Sequence, residues 1–168
     1  MQLAGRTWSA SAAGYAVEIQ RLDDAERQTW LRHATGSAVD PFLAPADQPR
    51  RFETFLVRVE NRDAGPATFN PQDCWLVTTG NEVLYPLGLE DLAASYRQLG
   101  LDLPPAYASV GPALLSGSAL LDPGATTSGL LVYPPFKPKT SRFRVDLQVT
   151  LASGDVVRLS APYRRQPE

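Results

Sequence analysis

The clearest alternation of hydrophobic and polar positions lies near the C-terminus. In "SRFRVDLQVTLASGDVVRLSAPY", Phe143, Val145, Leu147, Val149 and Leu151 alternate with Arg142, Arg144, Asp146, Gln148 and Thr150. A period of two sends one set to each side of an extended chain, so this is a strand with one buried and one wet face. The "ASGD" that follows supplies turn chemistry, and Val157, Leu159 and Ala161 resume the alternation, which predicts a hairpin. Upstream, in "LLDPGATTSGLLVYPPF", Pro123 and Gly124 turn the chain between the apolar runs Leu114 to Leu121 and Gly129 to Tyr133. Pro134 and Pro135 then stop the second run.

In "RRFETFLVRVENR", Phe55, Val57 and Val59 share one face, with Phe52 and Leu56 partly covered on the other, as in a central strand. Short pieces follow in "PATFNP", "DCWLVTT" and "EVLYP", separated by Gly, Asn and Pro, and "YAVEIQRL" precedes them with Tyr15, Val17 and Ile19 on one side. The total is about seven or eight strands with no helix alternating regularly between them, which predicts an all-β fold, an antiparallel β-sandwich, rather than a parallel α/β sheet.

Two short helices interrupt this pattern. In "LEDLAASYRQLG", Leu89, Leu92, Ala93 and Tyr96 fall at helical spacing, with Glu90 and Asp91 in the first turn, Arg97 in the last and Gly100 as the stop, predicting a helix at about 89–99. The other is expected at about 23–35: Asp23 and Glu26 form a capping box, Asp23 can pair with Arg27 across one turn, and Gly36 is the C-terminal cap. Small residues in "SASAAG" read as a flexible spacer over 1–13, leaving 14–163 as one sandwich domain and 164–168 as a tail. The connector "VDPFLAPADQPRR" is too apolar at Phe42 and Leu43 for a free linker.

Composition narrows the classes of partner. The chain has 168 residues, enough to bury a core without a staple, and its 15 prolines favour short strands and ordered turns over a helical bundle. A net charge of −2 gives no basic footprint for nucleic acid. No apolar run reaches the length of a membrane span, and "MQLAGRTWSASAAG" lacks the basic start and apolar middle of a signal peptide. The protein is therefore expected either in the cytoplasm or, after removal of a leader, in the periplasm or cell envelope.

Candidate chemistry is sparse. His33 is the single histidine, and of the nearby acids Asp23, Asp24 and Glu26 only Glu26 shares its helix face, two turns away. Its neighbours three and four positions off, Thr29, Trp30, Gly36 and Ser37, are poor metal ligands, so a structural reading prevails. Cys74, the single cysteine, sits beside Trp75 and Leu76 and reads as a small buried hydrophobe rather than a nucleophile paired with His33. Ser116 and Ser118 lie in an apolar run without a nucleophile elbow and read as strand residues. Acids in "VDPF", "NPQDC" and "LLDPG" could line a calcium site, yet each adjoins a proline turn in which Asp bonds its own backbone. No catalytic residue, metal site or cofactor is expected. The long segment from Gln98 to Pro112, "QLGLDLPPAYASVGP", is unusual for its length and polarity. Leu101, Asp102, Leu103, Pro104, Pro105 and Tyr107 form its candidate interaction loop, with the connector Pro41 to Pro49 second.

At "FLVRVENRDAGPATFNPQDCWL" and "LLDPGATTSGLLVYPPF" the chain resembles the immunoglobulin-like, telokin-like sandwiches of uncharacterised bacterial lipoproteins and envelope proteins. The resemblance spans about residues 52 to 163, and the helices depart from a minimal version. It implies an immunoglobulin-like fold and a non-enzymatic protein-interaction or assembly module of the envelope, and it carries over no site residues. "LAG" at 3–5 is similar to the residues ahead of a lipidated cysteine, but Arg6 stands where the cysteine would be. A proteinase inhibitor presenting "LDLPPAY", and a carbohydrate-active enzyme or binding domain, are the alternatives.

Overall fold

The computed structural model describes residues 6–38, 40–42, 52–98, 100, 107–135, 137 and 139–164. Two antiparallel sheets form the scaffold. The first has the order β1 (Thr7–Ala12), β2 (Tyr15–Leu22), β3 (Glu53–Asn61) and β8 (Thr126–Tyr133). The second is built around β9 (Arg142–Leu151), which pairs along one side with β10 (Val156–Arg164). Its other side pairs first with β5 (Trp75–Thr78) and then with β4 (Ala67–Phe69). Outside those lie β6 (Val83–Leu84) and β7 (Ala119–Leu121). Each sheet turns its alternating apolar set inward, which is the sandwich that the two-residue period predicts.

That interior is aromatic at its centre. Phe55 of β3 makes edge contacts with Tyr133, Phe143 and Tyr163, at ring distances of 5.7, 6.0 and 5.5 Å. Such edge-to-face pairs add to the area they bury. The two phenols also stitch the layers together. Tyr133 on the first sheet donates its O–H to the carbonyl of Cys74, at 2.9 Å, and Tyr163 on the second donates to the carbonyl of Ile19, at 2.7 Å.

A third layer covers part of the first sheet's other face. It consists of α1 (Asp24–Thr35), α2 (Leu89–Gln98), the short α3 (Tyr107–Val110) and a 3-10 turn at Gly111–Ala113. Leu31, Leu92, Tyr96, Val110 and Ala113 pack there against Leu22, Leu130 and Val132, and Leu56 joins them half-buried. The apolar run of β8, buried on both faces from Gly129 to Tyr133, is thereby accounted for.

Several sequence expectations need correction. The stretch read as a spacer holds β1 from Thr7 to Ala12, paired residue for residue with β2. Its alternation was masked because Ala10 and Ala12 share the inward side with Trp8 and carry little hydrophobic signal. Ala13 and Gly14, both at positive φ (46° and 80°), make the two-residue turn of this hairpin. A Cβ on Gly14 would come 2.7 Å from the Cβ of Asp63, so the position needs glycine twice over. The run Leu114 to Leu121 is a strand only at Ala119–Leu121; Leu114 forms an isolated bridge with Leu130, and Ser116 and Ser118 are exposed outside any strand. Strands among the described residues number ten rather than seven or eight, because the short pieces count separately.

Candidate functional site

Helix α1 is held at both ends as the capping signals predict. Asp23 accepts from the backbone N–H of Glu26 at 2.9 Å, Glu26 accepts from the N–H of Asp23 at 2.9 Å, and Gly36 closes the C-terminus in the left-handed conformation. The expected Asp23–Arg27 pair does not form. Asp23 instead takes Arg6, at 2.6 Å, while Arg27 turns under the helix. There its guanidinium meets the carboxylate of Asp40 at 2.8 Å and that of Asp24 at 2.9 Å, approaches Thr54, and lies 5.9 Å from the Phe42 ring centre. Arg27 is 1% exposed, so the pair clamps α1 and the 40–42 turn onto the sheet from inside.

With its buried edge fixed this way, α1 presents a second stripe, Ala25, Glu26, Thr29, Trp30 and His33, to one side of the sheet. Facing it are Gln20 and Leu22 of β2 and Leu56 of β3. Between them runs a groove of ≈ 560 Å³ with a mostly apolar lining, to which Gln20, Glu26, Thr29 and His33 add polar groups. Trp30 is half-buried and lines this groove. Beyond the reach of the helices, the same sheet face is open and polar. Ser9, Ser11, Glu18, Arg58, Glu60 and Arg62 line a second, smaller depression of ≈ 320 Å³. Arg62 holds the Glu60 carboxyl below its ordinary range by a two-pronged contact at 3.1 Å.

The sequence-selected residues are scattered relative to this groove. Leu101, Asp102, Leu103, Pro104 and Pro105 lie outside the described residues, as does most of the Pro41 to Pro49 connector. Tyr107 opens α3, so the far end of the expected loop is helical, and Val110 and Ala113 are buried in the third layer. His33 is exposed and lines the groove. Cys74 is sealed in the sandwich core, where burial pushes its thiol far above the ordinary range and removes the thiolate a nucleophile needs. Of the acids weighed for calcium, Asp40 is committed to Arg27. Among the described residues no three His, Cys, Asp or Glu side chains converge on one point. None of the candidates anticipated the groove itself. Its signal was the set Ala25, Thr29, Trp30 and His33 at helical spacing on a capped helix, opposite two strands that carry Leu22 and Leu56 on their outward side.

No protein-family model matches the chain. No curated protein matches it either. Among solved structures, the chain is similar to the yjhA protein from Bacillus subtilis, with 12% identity, TM-score 0.45, and 83% of this chain and 76% of that one covered. It is also similar to a FixG-related protein from Vibrio parahaemolyticus, with 8% identity, TM-score 0.44, and coverage of 93% and 100%. A DUF4426 family protein from Pseudomonas aeruginosa PAO1 aligns over 97% of both chains, at 8% identity and TM-score 0.43.

Proposed function

We propose that this chain is a non-enzymatic protein-interaction module of the bacterial cell envelope, and that its partner seats in the groove between α1 and the first sheet. The observation that carries the reading is a groove whose lining combines apolar Leu22, Leu56, Ala25 and Trp30 with polar Gln20, Glu26, Thr29 and His33. That is the anatomy of a peptide or side-chain pocket at a protein interface, in which an aromatic anchor is surrounded by groups that set orientation. Both walls are rigid: one is a strand buried on its inner face, the other a helix capped at both ends and clamped by a buried ion pair. A preorganised wall lowers the ordering cost of binding. Placement in the envelope rests on the resemblance of residues 52 to 163 to envelope sandwiches.

The test is position-specific photo-crosslinking in cells that carry the protein. A photoreactive residue at Thr29, on the groove, is compared with one at Thr68, exposed on the far sheet. A discrete adduct from position 29 alone, lost when Trp30→Ala is added, is the expected outcome. Equal adducts from both positions, or none from position 29, would remove the groove as the contact surface.

A further inference from the structure

Strand edges carry unpaired backbone groups, and folded proteins blunt them with charge, proline, bulges or cover. The sheet edges here are treated differently. At β8 the outward carbonyls of Leu130 and Val132 are taken by the N–H groups of Leu115 and Leu87, at 2.9 and 2.7 Å. On β10 the pair Leu151–Asp155 is hydrogen-bonded at 2.8 Å, so by alternation the even-numbered residues face out. These include Arg158, Arg164 and Pro162, which has no N–H to offer.

Strand β1 lies near β10 but lacks charge, proline and a bulge of its own. Its sequence, Thr-Trp-Ser-Ala-Ser-Ala, contains no charge and no proline, and its register with β2 is unbroken from Thr7 to Ala12. Arg21 donates its N–H to the carbonyl of Arg6 at 2.7 Å, which sets the alternation: Trp8, Ala10 and Ala12 bond to β2, and Thr7, Ser9 and Ser11 turn N–H and C=O outward. Among the described residues no hydrogen bond meets those six groups. We propose that this edge pairs with the same edge of a second copy, antiparallel across a two-fold axis at Ser9, joining two four-stranded sheets into one of eight.

The register follows from the strand itself. Inward and outward side chains must match across the pair, so residue numbers directly opposite sum to an even value, and the outward-bonding residues must face one another. Centring on Ser9 satisfies both. Ser9 meets Ser9 and Thr7 meets Ser11 as hydrogen-bonded pairs, while Trp8 faces Ala10 on the inner side. A large ring beside a methyl group is complementary in volume, and the half-buried Trp8, already packed against the core, gains cover. Hydroxyl pairs occupy the outer side, and no like charges oppose along the strand. An edge that matches itself in this way forms a closed, isologous contact.

Light scattering after size exclusion is read across a concentration series, with Ser9→Pro as the decisive variant. Proline at 9 removes an outward N–H and leaves the β1–β2 ladder intact. The expected result is a mass that rises from 18.3 kDa toward twice that value, and a dissociation constant at least tenfold weaker in Ser9→Pro. As a second readout that does not depend on that variant folding, Ser9→Cys should form an intermolecular disulfide on mild oxidation. Residues at the two-fold of a hydrogen-bonded pair lie within bridging range, about 5.5 Å between Cα atoms. Ser11→Cys, offset from its own copy by four residues, should cross-link far more slowly; buried Cys74 does not compete. A constant 18.3 kDa mass to high concentration, a dimer indifferent to Ser9→Pro, or equal cross-linking at 9 and 11 would each overturn the proposal.

Discussion

Arg27 heads the fully buried side chains by volume, and its charge is met by Asp40, also 1% exposed at the side chain, and by Asp24. Removing one member of such a pair strands the other in a medium that solvates it poorly, at a cost of about 3–5 kcal/mol. Asp40→Ala should therefore shift urea unfolding by that order, the more so because the Asp40 carboxylate also accepts from the N–H of Phe42 at 2.9 Å. The double change Arg27→Leu with Asp40→Leu should recover most of the loss. A cost below about 1 kcal/mol for Asp40→Ala would show that the pair is not holding the turn. At Cys74, also buried, native protein should be inert to a thiol reagent until it unfolds. Burial raises Cys74, Tyr133 and Tyr163 alike. A raised folded-state pKa favours the neutral form, so this stability is complete below the ordinary thiol and phenol values of 9.0 and 10.0 and is lost as pH rises above them. Denaturant midpoints measured from pH 7 to 11 should fall above about pH 9. A flat profile would contradict the placement of those groups.

Among the elements, α1 matters most because it forms one wall of the groove. Substituting Asp23→Ala removes the cap and should cost about 1 kcal/mol, seen as a lower unfolding midpoint with the groove wall loosened. The Asp23 carboxyl lies below its ordinary range, chiefly because it accepts the Glu26 N–H and secondarily through Arg6. A depressed carboxyl contributes stability that is complete above its unfolded value of about 4 and is lost as pH falls through the folded value. Acid weakening of α1 should consequently be smaller in Asp23→Ala than in the parent, a comparison that helix-specific hydrogen exchange at pH 3 and pH 6 can make. Helices α1 and α2 and the last hairpin were legible because periodicity and caps are local: Phe143 to Leu151 alternates over the whole of β9, and Asp23, Glu26 and Gly36 stand where their chemistry requires. Strand β1 was not legible. Serine and alanine carry little hydrophobic contrast, and only Trp8 marked the inner side.

For the whole molecule, the first sheet is covered on both faces at one end and on one face at the other. Its inner side chains, Val17, Ile19, Phe55, Val57 and Leu131, belong to the sandwich, whereas Leu22, Leu130 and Val132 belong to the helical layer. The continuous apolar run at 129–133 and the outward Leu56 were the sequence signs of two-sided burial, although nothing local says which elements provide the second cover. Likewise the groove arises where that cover ends, and it depends on the docking of α1 by a long-range pair, Arg27 with Asp40, that spacing alone does not suggest. Among the described residues no helix is long and apolar enough to cross a membrane.

Hydrogen exchange on the cross-linked complex tests the groove most directly. Amides of α1 from Ala25 to His33, together with those flanking Leu22 and Leu56, should slow in the complex relative to the free protein, while β4 and β7 on the far sheet stay unchanged. Slowing confined to the far sheet, with α1 exchanging as before, would contradict the groove as the surface this protein offers its partner.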